Sequence, residues 1–489
     1  MNTDIADTTA KEELSRVGKN TLIYGVGNVL SKAVSFLLIP LYTHHLSTYE
    51  VGIIVLLEVL EVLYIYIAPM GMITALWRYF HIEKKARAEK KLISGSWLFI
   101  MGSNAALLLT LIFASRFIAG LYLSDPGYSG LVALFCVCIY LGVSRLFFLS
   151  LMRIYERALL FIVIVFADFV LTIFLTIWFI IGLNLGLWGV VYAKLISSSL
   201  IFFVTIIFIL KSYGLHYDQS TITRSLRYGF PLIFHGISLL ILSMSDRFLI
   251  KQLISVETAG IYGIAYKFGM IMNMVLVTPF VQAWQPILFR LENHPEQRLT
   301  YQRMALHFVQ IATFAWLGLS VFAKYLVMWT TTPEYHAGIS IIPLIAFSYV
   351  LYGLQNIFNA GALIHNETMK MMAYGLITAL VNVALNVVLI PKWGMMGAAA
   401  VTVVSYLILM LMIFQLSQSR FAVNWRWEKM LAIFAVGMIC YFASLINLAG
   451  PLNYLKDVLA VMLFPILLIA LKLLSFNETR RFVRGFKGL

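Results

Sequence analysis

Nine ionisable side chains interrupt stretches of this chain that are otherwise apolar: Lys32, Glu58, Glu61, Arg145, Asp168, Lys194, Asp246, Arg247 and Lys267. Groups of this kind do one of two things. A cation in a dry setting makes charge-assisted hydrogen bonds to an anion. A cation and a carboxylate on neighbouring helices form an ion pair that locks the helices together. Basic groups occur in both halves, so Lys32, Arg247 and Lys267 read as contacts for an anionic ligand, with Arg145 as a further contact toward the inner side. For Glu58, Glu61 and Asp168 locking and function stay open, and Lys194 and Asp246 join them as polar groups for coupling or cavity lining.

Three polar stripes include or accompany these residues. Thr21, Gly25, Asn28, Lys32 and Ser35 follow one another at spacings of four, three, four and three, which places them on one helical face. A lysine facing lipid at mid-depth would cost about 2.5–3.5 kcal/mol, so this face meets protein or water. Close packing through small polar residues is the plainer reading, and Lys32 favours a cavity lining. Asp168, Thr172 and Thr176 form a second stripe, and Thr378, Asn382 and Asn386 a third. His235, near Ser238, has an imidazole able to titrate near neutral pH, although a satisfied core histidine weighs more. His44 and His45 lack a third ligand, so no metal is expected. Cys136, Cys138 and Cys440 all fall in apolar runs and read as packing thiols.

The elements that must position these residues are membrane helices. Hydrophobic residues make up 61% of the 489 and charged residues 12%, against about 25% charged in a soluble domain. A helix needs about 20 mainly apolar residues to cross the hydrocarbon core. That criterion marks fourteen segments, at 18–42, 51–77, 92–115, 129–151, 158–182, 186–210, 226–252, 259–289, 304–330, 338–363, 370–391, 394–416, 430–447 and 453–474. The runs are continuous, without the ten-residue alternation of barrel strands. With the N-terminus inside, the tails and even-numbered loops hold 25 of the 36 lysines and arginines and the odd-numbered loops 6. Both termini are therefore expected in the cytoplasm. The net charge of +14 follows from this scatter over short loops, so nucleic acid is not an expected partner. No P-loop or Rossmann glycine pattern appears. No cofactor and no catalytic residue is expected, and energy must come from an ion gradient, the membrane potential or substrate flow.

One offset repeats along the chain. Ser47, Gly52 and Ile53 recur 208 positions on as Ser255, Gly260 and Ile261, and Gly186, Gly189 and Ser197 as Gly394, Gly397 and Ser405. A fixed offset in two distant blocks marks a duplicated unit. Residues 1–211 and 226–417 are expected to form two six-helix lobes in the same orientation, joined by a cytoplasmic linker at 212–225 and followed by a helix pair and tail at 418–489. Their two-fold axis is expected along the membrane normal, as in parallel-repeat transporters.

Several stretches also carry a family likeness. SDRFLI…VETAGIYGIAYK (Ser245–Lys267) resembles the start of the second lobe in Wzx-type lipid-linked oligosaccharide flippases, the polysaccharide transporters of the MOP superfamily. KNTLIYGVGNVLSKAVSFLLIPLYTHHLSTYEVGI resembles their first helix and outer turn. RIYERA (Arg153–Ala158) and PKWGMMGAAAVT (Pro391–Thr402) fit as well. The likeness spans nearly the whole chain, and its motifs point to the superfamily more firmly than to one branch.

The resemblance implies an all-α, V-shaped bundle of two six-helix lobes around a central cavity that opens alternately to either side of the bacterial inner membrane. It implies a substrate of oligosaccharide repeat units on an undecaprenyl diphosphate carrier, for O-antigen, capsule or exopolysaccharide. The last helix pair would flank a groove for the polyprenyl tail, and the protein would act as a monomer among membrane lipids. Glycan polymerase and chain-length proteins are the partners it suggests. A diphosphate is anionic and suits Lys32, Arg247 and Lys267. Lys32 stands where several cation-coupled relatives place an aspartate, so no coupling ion carries over. A multidrug/cation antiporter of the same fold is the alternative, although it would want acidic groups where bases slightly outnumber acids. A membrane glycan polymerase or ligase fits less well, because no loop is long enough to hold its chemistry.

Overall fold

The computed structural model describes residues 25–27, 29–30, 33–80, 86–292, 294–446 and 451–474, and not the side chains of residues 86–87, 231–232, 234–235 and 239. Every regular element among the described residues is helical. The first are α1 (Ile39–His45), α2 (Thr48–Ile67), α3 (Met72–Phe80), α4 (Ala86–Phe113), α5 (Ser115–Leu123) and α6 (Ser129–Ile154). There follow α7 (Ala158–Ile177), α8 (Gly186–Ser212), α9 (Gln219–Leu253), α10 (Val256–Met272), α11 (Thr278–Arg290) and α12 (Gln297–Thr330). The chain ends with α13 (Ile342–Phe358), α14 (Ala360–Ile364), α15 (Thr368–Arg420), α16 (Trp427–Ser444) and α17 (Leu452–Ala470).

Among the described residues ten helical spans are long and apolar enough to cross a membrane, and the bent pair α2–α3 makes eleven. Large apolar side chains stay exposed along them, such as Phe174 at 61% and Phe203 at 60%. Such faces suit lipid tails and not water. By compactness the chain divides into a unit ending at Gly263 and a unit beginning at Ile264, so α10 contributes to both.

In the first unit, α2 begins with a capping box. The Ser47 hydroxyl accepts from the Glu50 amide, and the Glu50 carboxylate accepts from the Ser47 amide. Two otherwise orphaned donors are thereby satisfied. The segment expected at 51–77 is not one straight helix. Pro69 cannot donate, Met70 and Gly71 take positive φ of 47° and 71°, and α3 leaves at 44° to α2. Asn104 of α4 donates its side-chain amide to the Ala68 carbonyl at the break, 3.4 Å away. Glycines then let helices touch. A Cβ on Gly71 would lie 2.1 Å from the Gly229 oxygen, and one on Gly260 2.8 Å from the Gly52 nitrogen.

In the second unit, α15 runs through 53 residues with a sharp turn at Gly394 (φ 57°, ψ −137°), just past Pro391. A straight helix of that length would be about 80 Å long, far beyond a hydrocarbon core of about 30 Å. The break restores the two segments expected at 370–391 and 394–416. All three cysteines are buried free thiols.

Candidate functional site

One polar seam runs through the first unit and joins four helices. Arg145 on α6 forms an ion pair with Asp168 on α7, and Ser197 on α8 donates to the other Asp168 oxygen. The Thr172 hydroxyl donates to Ser197 Oγ at 3.0 Å, and that of Thr176 to the Thr172 carbonyl at 2.6 Å. One turn earlier on α8, Lys194 pairs with Glu61 on α2. Its Nζ also lies 4.9 Å from the centre of the Phe135 ring. Helix α8 is thus the common rail: position 194 reaches α2 and position 197 reaches α7, three residues apart and on one face. All four charged side chains are half-buried. Pairing gives each a counter-charge where an isolated charge would be costly.

A second centre lies at the end of α9. Asp246 is 2% exposed and Arg247 6%. Asp246 Oδ1 accepts from the Arg247 backbone at 2.9 Å and from its guanidinium at 3.0 Å, while the Tyr262 hydroxyl donates to Oδ2 at 2.6 Å. Arg247 also donates to the Ser243 carbonyl at 2.7 Å. Every polar atom of the carboxylate is thereby engaged, which is the condition for burying it. Lys251 and Gln252 both donate to the Leu121 carbonyl, at 2.6 and 3.1 Å, and tie this helix end to α5.

The second unit has its own polar line. Asn382 donates to Ser405 Oγ and Asn386 to Asn382 Oδ1, each at 3.0 Å, with all three side chains buried. Lys267 on α10 is buried and engaged as well. At one end of α17 the fully buried Asp457 meets Lys324 of α12 at 2.7 Å, Lys456 at 3.2 Å and the Tyr325 hydroxyl at 2.5 Å.

Two comparisons place this architecture. A family model described as polysaccharide biosynthesis protein matches residues 17–292, more than half of the 489. The chain belongs to that family. No curated protein sequence matches it. Among solved structures it is similar to the lipid II flippase MurJ in an inward closed conformation, with a TM-score of 0.71 at 14% identity over 92% of this chain and 99% of that one. A multidrug resistance MATE family transporter of the MOP superfamily, inward-facing, aligns with a TM-score of 0.62 at 15% identity over 80% and 94% of the chains. The MATE multidrug transporter DinF-BH aligns at 0.60 and 16% over 83% and 95%. At such identities the likeness is one of fold. This polysaccharide biosynthesis protein is a multi-pass membrane protein with the MOP-superfamily fold.

Within that family member, the structure sorts the residues expected to act. It brings together Arg145 with Asp168, Lys194 with Glu61, Asp246 with Arg247, and Asn382 with Asn386. Glu58, one turn from Glu61, is not part of the Lys194 pair; Ser35 of the first stripe approaches it at 3.4 Å. Asn28, Lys32 and the side chain of His235 lie outside the described residues. The sequence reading did not single out Asp457, Lys324 or Lys456. The signal was an acid directly after Lys456 at the head of an apolar segment. Tyr262 was missed too, for its hydroxyl is recognisable as a partner only once α9 and α10 are seen side by side.

Proposed function

We propose that this family member flips undecaprenyl-diphosphate-linked oligosaccharide repeat units across the bacterial inner membrane by alternating access, for O-antigen, capsule or exopolysaccharide synthesis. The observation that carries the reading is the family match over residues 17–292. Support comes from paired charges inside apolar helices, because a transporter must hold ionic groups where a simple anchor needs none. The two six-helix lobes, 1–211 and 226–417, are read as parallel repeats, and both termini as cytoplasmic. No enzymatic step is assigned.

Lys32, Arg145, Arg247 and Lys267 are the proposed contacts of the diphosphate. Arg145 and Arg247 each hold a carboxylate, so an arriving diphosphate replaces one anionic partner by another. That exchange keeps each cation paired, and the diphosphate contacts must offset the cost of the displaced carboxylate. An inside-negative membrane potential then favours outward movement of a carrier with net negative charge, at about 2.3 kcal/mol per elementary charge per 100 mV.

Deleting the gene should leave a lipid-linked oligosaccharide on the cytoplasmic leaflet, with surface glycan lost. Replacement of Lys32 or Lys267 by alanine should reproduce that phenotype at normal protein levels. Wild-type glycan from both variants removes the diphosphate contacts. A deletion that leaves glycan intact and sensitises cells to cationic drugs replaces the flippase reading with that of an antiporter.

A further inference from the structure

The strongest unassigned feature is an open cleft of about 650 Å³ in the second unit. Small-molecule sites span about 300–1,000 Å³. The cleft lies where three long apolar helices end together: α12 begins at Gln297, α15 stops at Arg420 and α16 starts at Trp427. The loop between α15 and α16 forms one wall, and two glutamines pin it. Gln302 of α12 donates its side-chain amide to the Asn424 carbonyl. Gln418 of α15 accepts from the Val423 amide at 3.2 Å and from the Trp425 indole at 3.0 Å, and it donates to the Val423 carbonyl at 2.9 Å. Trp425 and Trp427 both pack against the buried Phe358, with ring centres 4.8 and 5.3 Å away. The wall is therefore held by the fold itself.

The lining is rich in donors that the protein leaves unused. The Arg298 guanidinium lies 5.0 Å from the centre of the Phe421 ring. Phe421 in turn meets the fully buried Tyr301, ring centres 6.1 Å apart. Stacking holds a guanidinium by its face and leaves its N–H edge open, the geometry that takes a phosphate bidentately. Among the described residues no carboxylate pairs with Arg298, and none lines the cleft. Glu296 and Glu428, the acids next to the lining in sequence, are exposed and make no ion pair with it. The Asn424 side-chain amide and the Trp427 indole N–H, on the same lining, make no hydrogen bond among the described residues. Leu299 and Trp427, 37% and 36% exposed, add an apolar edge. Tryptophan at the end of a spanning helix suits the headgroup level of a bilayer. The flanking loops belong to the set that carries most of the basic residues, which suits a leaflet with a negative surface.

We propose that this cleft binds the headgroup of an anionic phospholipid of the surrounding bilayer. Arg298 takes the phosphodiester, the Asn424 amide and the Trp427 indole N–H take the remaining headgroup oxygens, and the acyl chains leave along Leu299 and Trp427. The anionic class follows from a lining with donors and no acid: the ammonium of a zwitterionic headgroup finds no counter-charge there. The lipid is a resident of the membrane and not cargo, so the site stands whether or not the flippase reading does.

The test uses the full-length protein in neutral detergent, with phosphatidylglycerol as the probe, phosphatidylcholine as the zwitterionic control and native mass spectrometry to measure the affinity of the first lipid retained. Wild type should prefer phosphatidylglycerol. Arg298→Gln should weaken its retention roughly tenfold or more, the loss expected for one charge-assisted contact. Arg298→Lys keeps the charge without the fork and should fall between. Trp427→Phe keeps the ring without the N–H and should cost about threefold. Lys429→Gln removes a charge from the same end of α16 without touching the lining and should stay within about twofold of wild type. Equal losses from Lys429→Gln and Arg298→Gln would reveal diffuse attraction to charge and overturn the site. Phosphatidylcholine held as tightly as phosphatidylglycerol overturns it too, as does an Arg298→Gln variant that binds like wild type. Excess inorganic phosphate should leave the lipid in place; displacement would assign the cleft to a soluble ion and end the lipid assignment. Melting temperatures measured without added lipid should match that of wild type. A loss of retention that comes only with a loss of melting temperature overturns the site, because Arg298 would then merely support Phe421.

Discussion

The polar line of the first unit and that of the second answer the same problem with different chemistry. In each, a serine on the later helix receives a polar stripe from the earlier one. Thr172 donates to Ser197, and Asn382 donates to Ser405. The serines are 208 positions apart. The first stripe opens with an acid, Asp168, that binds Arg145. The second stripe opens instead with Thr378, two positions past the one the offset pairs with Asp168, and its hydroxyl is spent on the Tyr374 carbonyl one turn back in its own helix. The first unit thus carries a charged, half-buried lock and the second a neutral, buried amide ladder. The contrast in exposure follows from the chemistry. Amides and hydroxyls tolerate complete burial once hydrogen-bonded, whereas an ion pair loses less to desolvation when, as at Arg145–Asp168, part of it stays exposed.

The difference can be broken by moving charge between the two lines. Asn382→Asp puts a carboxylate into a site 1% exposed and should cost about 4–5 kcal/mol, the scale of an uncompensated buried charge. It should show as a large fall in the melting temperature of the purified protein; a variant as stable as wild type would mean that the second line is not dry. Asp168→Asn makes the first line resemble the second and strands Arg145. The expected loss is about 3 kcal/mol, the low end for a buried pair, because both side chains keep some exposure. Adding Arg145→Leu should restore more than half of it, and strictly additive losses would show that the pair does not act as a unit.

Smaller changes sharpen the comparison. Ser405→Ala removes the acceptor of a buried amide and should cost about 1–2 kcal/mol. Ser197→Ala should cost less, since Asp168 retains Arg145, and the reverse order would remove the distinction between the lines. The smallest effect is expected where water already solvates the charge. Asp218 caps α9 at the Thr221 amide, and hydrogen bonds from the Thr221 hydroxyl, the Ser220 hydroxyl and that amide hold its carboxyl well below the usual range. A depressed pKa stabilises the fold above the unfolded value of about 3.9 and loses that contribution as pH falls through the folded value. Asp218→Asn keeps the cap, so melting at pH 7 should barely move while the acid limb of the stability profile flattens. An unchanged acid limb would show that Asp218 carries no part of it.

Much of this molecule is local and therefore readable along the chain. A span declares itself by length and hydropathy, a stripe by the 3.6-residue turn, and the break in α15 by Pro391 and Gly394. Even the break between α2 and α3, missed as a bend, is written in Pro69 and Gly71. The serine pair at 197 and 405 was legible as part of the 208-position repeat. What the chain by itself left open was partnership. Lys194 meets Glu61 across 133 positions and Arg145 meets Asp168 across 23, and each cation had more than one acid in reach of the same argument. Periodicity tells which face of a helix is polar and is silent on which helix lies against it. The choice is made by close packing: by Gly71 against Gly229 and Gly52 against Gly260, which set the helix neighbours, and by the low dielectric between them, which makes a missed pairing too costly to persist.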